Sequence, residues 1–130
     1  FVEMQWLGNV DSETVAEELL EADVMLLTSK FEVLPLAALE AMSNFTPIVT
    51  TDFFGAGDFV QDQVTGLVLP IDVSPGQAAE RILALLNDSA LLLQMGVNAR
   101  SHFLNSFSSV DLMTAEYRAQ YTNILNSSIL

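Results

Sequence analysis

Cysteine is absent from the 130-residue chain, and basic residues are scarce. Without cysteine the chain forms neither disulfides nor thiolate metal sites, which is compatible with a reducing cytoplasm, and a cytoplasmic location is expected. Four Lys and Arg residues stand against seventeen Asp and Glu residues, which gives a net charge of −13. The field of such a chain repels phosphate backbones, so nucleic acid is not expected as a partner.

Long apolar runs are also missing, although 51% of the residues are hydrophobic. No run approaches the roughly 18 residues of a transmembrane helix, so no transmembrane segment is expected. The apolar residues occur in short runs between polar turns, which predicts one globular domain over residues 1–130. Because the chain starts at Phe1 and its first residues are typical of a strand rather than a targeting segment, we expect a fragment of a longer protein.

Strand and helix patterns alternate along the first half of the chain, which predicts an α/β fold with right-handed parallel crossovers. We expect a partial Rossmann-like parallel sheet of about four strands with covering helices and a C-terminal helical segment. The first strand alternates as an edge strand does, and the second is an unbroken apolar run, typical of a strand covered on both faces. The four predicted strands are Val2–Leu7, Val24–Thr28, Pro47–Thr51 and Leu67–Leu69.

Capping residues and the spacing of apolar residues predict five helices. The third is the most clearly marked, with Ser74 as cap, Pro75 at the first position and Gln77 completing a capping box. Its predicted buried stripe is Ala78, Ile82, Leu85 and Leu86, and the last helix has Met113, Tyr117, Tyr121, Ile124 and Leu125 at helical spacing. The predicted helices are Ser12–Ala22, Pro35–Ser43, one beginning after Ser74, Ser89–Leu104 and Val110–Asn126.

Ligands of open parallel sheets bind beyond the carboxyl ends of the strands, which selects the loops Gly8–Asp11, Ser29–Pro35 and Asp52–Asp58. The helix after the middle loop offers unpaired amides that favour a phosphate, and Glu32 and Glu40 flank its start. Carboxylates repel phosphate but accept strong hydrogen bonds from sugar hydroxyls. Taken alone, the two glutamates are also compatible with a solvated surface.

Residues 29–42, SKFEVLPLAALEAM, resemble the donor-site motif of the group 1 family of retaining glycosyltransferases, which have the GT-B fold. Further segments are in the family's order, namely Trp6-Leu7-Gly8, Ala22-Asp23-Val24, Thr46–Asp52, Gly55, Val64–Pro70, Met95-Gly96 and Asn98-Ala99-Arg100. The resemblance covers nearly the whole chain. It implies a truncated C-terminal donor-binding domain.

The resemblance also implies roles for single residues. Glu32 would contact hydroxyls of the transferred sugar as the catalytic residue, and Glu40 would hold the ribose of a nucleoside diphosphate sugar. The remaining donor-binding residues would be Leu34, Pro35 and Leu36, near the diphosphate, and Gly8. A hexose would pass to a carbohydrate or lipid-linked acceptor without a metal or other cofactor. The partner would be an N-terminal acceptor domain, without which the isolated chain is expected to be inactive.

Departures from the family pattern support a second hypothesis, a non-catalytic α/β fragment or interaction module that has lost donor binding. Val33 and Phe54 occupy positions where the family usually has glycine, and Asn44 is expected to replace glycine as a left-handed helix cap. For Phe53, Phe54 and Phe59, cleft lining and core packing both stay open. A third hypothesis is that the chain is a doubly wound domain unrelated to this family.

The resemblance further implies that two strands from the centre of the donor domain's sheet are absent. We therefore expect either that the Val2–Leu7 strand pairs directly with Val24–Thr28 or that chains associate through the exposed sheet edge.

Overall fold

The computed structural model of the chain describes residues 3–127 and confirms the α/β class. Three short parallel strands alternate with helices, and three longer helices follow the last strand. A 3-10 turn, Ala56–Asp58, interrupts the loop after the second strand. The elements are α1 Ser12–Glu21, β1 Met25–Leu27, α2 Leu36–Ser43, β2 Ile48–Thr51, β3 Gly66–Leu69, α3 Pro75–Leu86, α4 Ser89–Ser106 and α5 Val110–Ser127.

The sheet has three strands in the order β1-β2-β3, all parallel, rather than the four predicted. The predicted strand Val2–Leu7 is wrong for residues 3–7, which form no strand, and Val2 lies outside the described residues. Met4 and Trp6 are 89% and 91% exposed. An alternating pattern forms a strand only where a neighbour supplies hydrogen bonds. Within residues 3–127, β1 pairs with β2 alone, so the predicted pairing of residues 3–7 with β1 is also wrong.

The core lies on both faces of β2, whose four residues are all buried. One face packs against α2 and α4 through residues such as Ile48, Met42 and Ala99, and the other packs against α3 and α4 through Val49, Leu85 and Met95. Phe53 and Phe59 belong to the first of these clusters, so core packing is the correct alternative for them. Phe54, between them in the sequence, is 80% exposed.

Capping chemistry fixes α3 as predicted. The Ser74 hydroxyl accepts a hydrogen bond from the Gln77 amide, and the Gln77 side chain accepts one from the Ser74 amide, which completes the capping box. Leu85 is buried at the predicted stripe, whereas Leu86 is 37% exposed. The stripe is therefore narrower than the sequence predicted.

The end of α2 differs from expectation. Asn44 caps the helix with φ −105°, and the left-handed conformation falls on Phe45, with φ 62°. The Arg100 guanidinium stabilises this turn, because it donates a 2.6 Å hydrogen bond to the Ser43 carbonyl and lies 5.6 Å from the centre of the Phe45 ring. Tertiary contacts from α4 thus offset the cost of placing a bulky residue in this conformation.

The predicted last helix is present as α5, but its apolar stripe is exposed. Side chains at the predicted positions are all more than half exposed, from 51% for Met113 to 66% for Leu125.

In residues 3–127, no single helix is long and apolar enough to cross a membrane. The helices α3 and α4 together have the length and composition of a membrane span, but they are bent by 92° where they meet.

Candidate functional site

The loops that follow β1 and β2 meet at the carboxyl edge of the sheet. The Thr51 hydroxyl at the end of β2 donates a 2.6 Å hydrogen bond to the Ser29 carbonyl, which ties the first loop to the second strand. Farther along, Gly55 approaches the first loop so closely that a Cβ on it would lie 3.1 Å from the Val33 carbonyl and 3.2 Å from the Glu32 carbonyl. Two of the three predicted loops therefore form one surface.

Glu32 lies on this surface and is half-buried. Its Oε1 accepts a long hydrogen bond, 3.5 Å, from the Ser29 hydroxyl. Ser29 itself is fixed through its carbonyl to β2, and the backbone carbonyl of Glu32 lies against Gly55, so the backbone of Glu32 is held in place by both loops. A half-buried carboxylate with one weak partner retains acceptor capacity for hydroxyl donors.

The start of α2 provides the predicted amides. Pro35 is the N-cap and the first helical residue is Leu36, one position later than predicted. Ala38 N donates to the Pro35 carbonyl at 3.0 Å, whereas the amides of Leu34, Leu36 and Ala37 have no hydrogen-bond partner within residues 3–127. Such unpaired amides at a helix start favour an anion.

Glu40 lies on α2 and is exposed. It lines a small cleft of about 260 Å³ with Leu36, Leu39, Ser43 and Phe103. Because Arg100 of α4 binds the Ser43 carbonyl, the part of α2 that carries Glu40 is fixed to the core. Leu36 and Glu40, two of the predicted donor-binding residues, thus border one cleft.

Among the described residues, Gly8 makes no contact with the loops that carry Glu32 and Gly55 that would support its predicted role in donor binding. It has φ +71°, and the atom nearest to a Cβ placed on it is Trp6 Nε1, at 3.9 Å. The neighbouring residues 3–7 form no strand that would position Gly8 at the sheet edge. A role for Gly8 stays a prediction.

Two phenylalanines lie on the same surface, Phe31 from the donor-site motif and Phe54, for which the sequence left both cleft lining and core packing open. Phe31 precedes Glu32 and is 70% exposed, and Phe54 precedes Gly55 and is 80% exposed. Their rings are nearly parallel, with 8° between planes and 6.5 Å between centroids. The quoted donor-site motif contained Phe31, but its pairing with Phe54 depends on the approach of two loops that the sequence does not reveal.

Within residues 3–127, no group of three or more His, Asp or Glu side chains is arranged to hold a metal ion. The single histidine, His102, packs edge-on against Phe107 with ring centroids 5.5 Å apart and approaches the Ser106 hydroxyl at 3.4 Å. These contacts indicate a packing role.

Comparison with known families agrees with this geometry. The pattern of the family described as "Glycosyl transferases group 1" matches residues 2–102, which is more than three quarters of the chain. The chain belongs to this family of glycosyltransferases. The predicted family and the α/β, GT-B type of fold are confirmed.

Individual relatives are similar over most of this chain. YtcC of Bacillus subtilis (strain 168) is 32% identical over 123 residues, covering 93% of this chain and 28% of YtcC. Glycogen synthase of Mycobacterium tuberculosis is 32% identical over 112 residues, covering 85% of this chain and 27% of that protein. The chain therefore spans less than a third of the length of these relatives.

Solved structures show the same fold. Sucrose-phosphate synthase from Thermosynechococcus elongatus superposes with a TM-score of 0.78 and 27% identity, over 92% of this chain and 30% of that one. A TarM mutant of S. aureus, solved with fondaparinux, alpha-GlcNAc-glycerol and UDP, gives a TM-score of 0.72 with 25% identity, over 82% and 22% of the two chains. The C-terminal domain of a group 1 glycosyl transferase from Francisella tularensis, 22% identical with a TM-score of 0.68 over 78% of this chain and 52% of that one, shows likeness of fold alone.

Proposed function

We propose that this chain binds the nucleoside diphosphate sugar donor in a retaining group 1 glycosyltransferase that transfers a hexose to a carbohydrate or lipid-linked acceptor. The observation that carries the proposal is the start of α2, where the unpaired amides of Leu36 and Ala37 lie between Glu32 and Glu40 in sequence. This start lies beyond the carboxyl end of β1, where open parallel sheets bind their ligands.

Each group has a role that follows from its chemistry. The amides near Leu34 to Leu36 bind the diphosphate, because the positive end of the helix dipole stabilises negative charge, including that of the leaving group. Glu32 accepts hydrogen bonds from hydroxyls of the transferred sugar, and Glu40 accepts them from the ribose. These interactions need no metal ion or other cofactor.

The likeness to TarM supports a nucleotide ligand, because that protein was solved in complex with UDP and alpha-GlcNAc-glycerol. The chain's own cations are few. The guanidinium of Arg81 donates to the Val68 carbonyl and that of Arg100 to the Ser43 carbonyl, which leaves Lys30 as the cation on the site loop. We therefore expect sugar transfer to require an N-terminal acceptor domain and further phosphate-binding cations. The cytoplasmic location stays a prediction.

Calorimetric titration with UDP, GDP and ADP, and with a hexose conjugate of each, tests the proposal. Low salt is used because weak diphosphate contacts are least screened there. We expect saturable binding of one nucleotide that is lost in Glu40→Ala and retained in the control Glu80→Ala, which removes an exposed glutamate from α3. Absence of binding at millimolar concentrations of all six ligands would reject the proposal for this chain.

The alternative of a non-catalytic module is favoured by one observation, the 71% exposed Val33 side chain on the site loop where the family usually has glycine. Val33→Gly separates the two hypotheses in the same titration. A gain in nucleotide-sugar affinity identifies a donor site that Val33 crowds. If neither wild type nor Val33→Gly binds, the module hypothesis is preferred.

A further inference from the structure

Phe31 and Phe54 present the only nearly parallel pair of exposed phenylalanine rings in residues 3–127. Burial of such rings is strongly favourable, and their neighbours Phe53 and Phe59 are 4% and 0% exposed. The packing of the core therefore does not use Phe31 or Phe54. Two large apolar rings facing solvent on adjacent site loops indicate a surface that a ligand covers.

The loops hold these rings in a defined place. Gly55, directly after Phe54, lies against the carbonyls of Glu32 and Val33, directly after Phe31. The first loop is in turn bound to β2 by the Thr51 hydroxyl. The aromatic pair is consequently held on the two loops that meet at the backbone of Glu32, at the same edge of the sheet as the start of α2.

A pyranose ring matches both features of this surface. Its ring hydrogens carry partial positive charge because every ring carbon bears oxygen, so its face is attracted to the negative face of an aromatic ring. Its hydroxyls project from the ring edge, where a carboxylate accepts them. A second carboxylate is close, because Asp58 Oδ2 lies 3.9 Å from the position of a Cβ on Gly55. A purely apolar ligand would leave these carboxylates without partners.

We propose that Phe31 and Phe54 form an aromatic platform on which a pyranose ring stacks while Glu32 accepts its hydroxyls. The platform deepens the proposed donor site and rests on it. Two sources supply the same ring chemistry, namely the hexose of the donor and a sugar at the end of the acceptor. Phe31 and Phe54 are then specificity-determining residues for that ring.

The first test compares wild type with the double variant Phe31→Ala/Phe54→Ala in calorimetric titrations. The ligands are UDP, GDP and ADP, UDP-glucose, GDP-mannose and ADP-glucose, and methyl α-glucoside and maltose. If the platform binds the donor hexose, the double variant weakens binding of the nucleotide sugar about tenfold, the size of one good aromatic contact, and leaves binding of the bare nucleotide unchanged. If the platform binds the acceptor sugar, the double variant weakens only the binding of maltose and of methyl α-glucoside. Tyr121→Ala, which removes a 63% exposed ring from α5, should change neither.

The second measurement keeps the platform testable when nucleotides fail to bind. Chains with 13C-labelled phenylalanine give ring signals for eight residues, and the single variants Phe31→Ala and Phe54→Ala assign the two of interest. Saccharides should shift these two signals and not those of the buried Phe59. Loss of all nucleotide binding with these shifts retained rejects the proposed donor site but not the platform. Sugar binding that is equal in wild type and double variant, or absence of any shift at both rings, overturns the platform.

Discussion

At the scale of single residues, Gly55 determines how the two site loops meet. Its φ of +95° is a conformation that residues with a Cβ rarely adopt, and a Cβ there would press on the carbonyls of Glu32 and Val33. We expect Gly55→Ala to lower the free energy of unfolding by about 1–3 kcal/mol, because left-handed strain and the crowded contact add. Urea denaturation followed by circular dichroism measures this change.

Gly57→Ala is the matched control, since it adds the same methyl group two residues away. A Cβ on Gly57 would have no atom within 4 Å, and its φ is not in the left-handed region. The urea midpoint of this variant should stay near that of wild type. Equal midpoints for both variants would show that the close approach of the two loops does not contribute to stability.

The prediction for the left-handed residue at the end of α2 was wrong because contacts from a distant part of the sequence determine its conformation. The sequence predicted that Asn44 takes the left-handed cap, because Asn pays less for it than other residues with a Cβ. In the structure Phe45 takes it, since Arg100 from α4 binds both the preceding carbonyl of Ser43 and the Phe45 ring. Gly96 leaves room for the Phe45 carbonyl. No local pattern contains these contacts from residues more than fifty positions away.

At the scale of elements, α1 depends on a charged cap. The Asp11 carboxylate accepts hydrogen bonds from the Thr14 amide, 2.9 Å, and the Thr14 hydroxyl, 2.8 Å. The bond from the Thr14 amide first, and then that from its hydroxyl, lower the pKa of Asp11 below its usual value of 3.8. Folding therefore favours the charged carboxylate. The stabilisation is fully present above the unfolded pKa and is lost as the pH falls through the lower folded pKa.

We expect Asp11→Ala to destabilise the chain at pH 6 and to differ progressively less from wild type as the pH falls below 4. Thermal unfolding of both proteins across this range measures the difference. Ser74→Ala provides the comparison, because Ser74 caps α3 with a neutral hydroxyl and its contribution should not vary with pH in this way. A cost of Asp11→Ala that is equal at pH 6 and pH 2.5 would contradict a role for the charged form.

Elements with local signals were predicted to within a few residues, and those that need a neighbour were not. The α3 capping box lies within four residues, and the structure places the helix start where the sequence did. The pattern of residues 3–7 requires a pairing strand, and the stripe of α5 requires a covering surface, which the described residues do not provide. For the site, the start of α2 was predictable to one residue, whereas the pairing of Phe31 with Phe54 depends on tertiary approach.

At the scale of the whole molecule, the two edges of the sheet differ. The β3 edge is covered by side chains, because Asp62 accepts a 2.7 Å hydrogen bond from the Val68 amide and Arg81 donates one of 3.2 Å to the Val68 carbonyl. At β1, the Met25 amide donates a hydrogen bond to the Pro47 carbonyl, just before β2. Because the backbone groups of successive strand residues point to opposite sides, the amide and carbonyl of Leu26 point away from β2, toward the open edge. Within residues 3–127 no strand pairs there, and Leu26 is 54% exposed.

We expect the isolated chain to self-associate through this β1 edge, since uncovered edges with apolar side chains template strand addition. The net charge of −13 opposes association, and salt screens that repulsion over a Debye length of about 8 Å at physiological ionic strength. Association should therefore increase with both protein and salt concentration, as measured by light scattering. Leu26→Lys should suppress it because the added charge must be desolvated at the interface.

Leu93→Lys is the control that separates edge pairing from a simple charge effect. It adds the same charge to the 72% exposed Leu93 on α4, away from β1, and so changes the net charge equally. Because an added lysine makes the net charge less negative and so weakens the global repulsion, Leu93→Lys should not suppress association. If both variants suppress association alike, the loss of an exposed leucine anywhere on the surface, and not the β1 edge, governs it. A wild-type chain that stays monomeric at every protein and salt concentration would contradict association altogether, because screening removes the one long-range force that opposes pairing of the open edge.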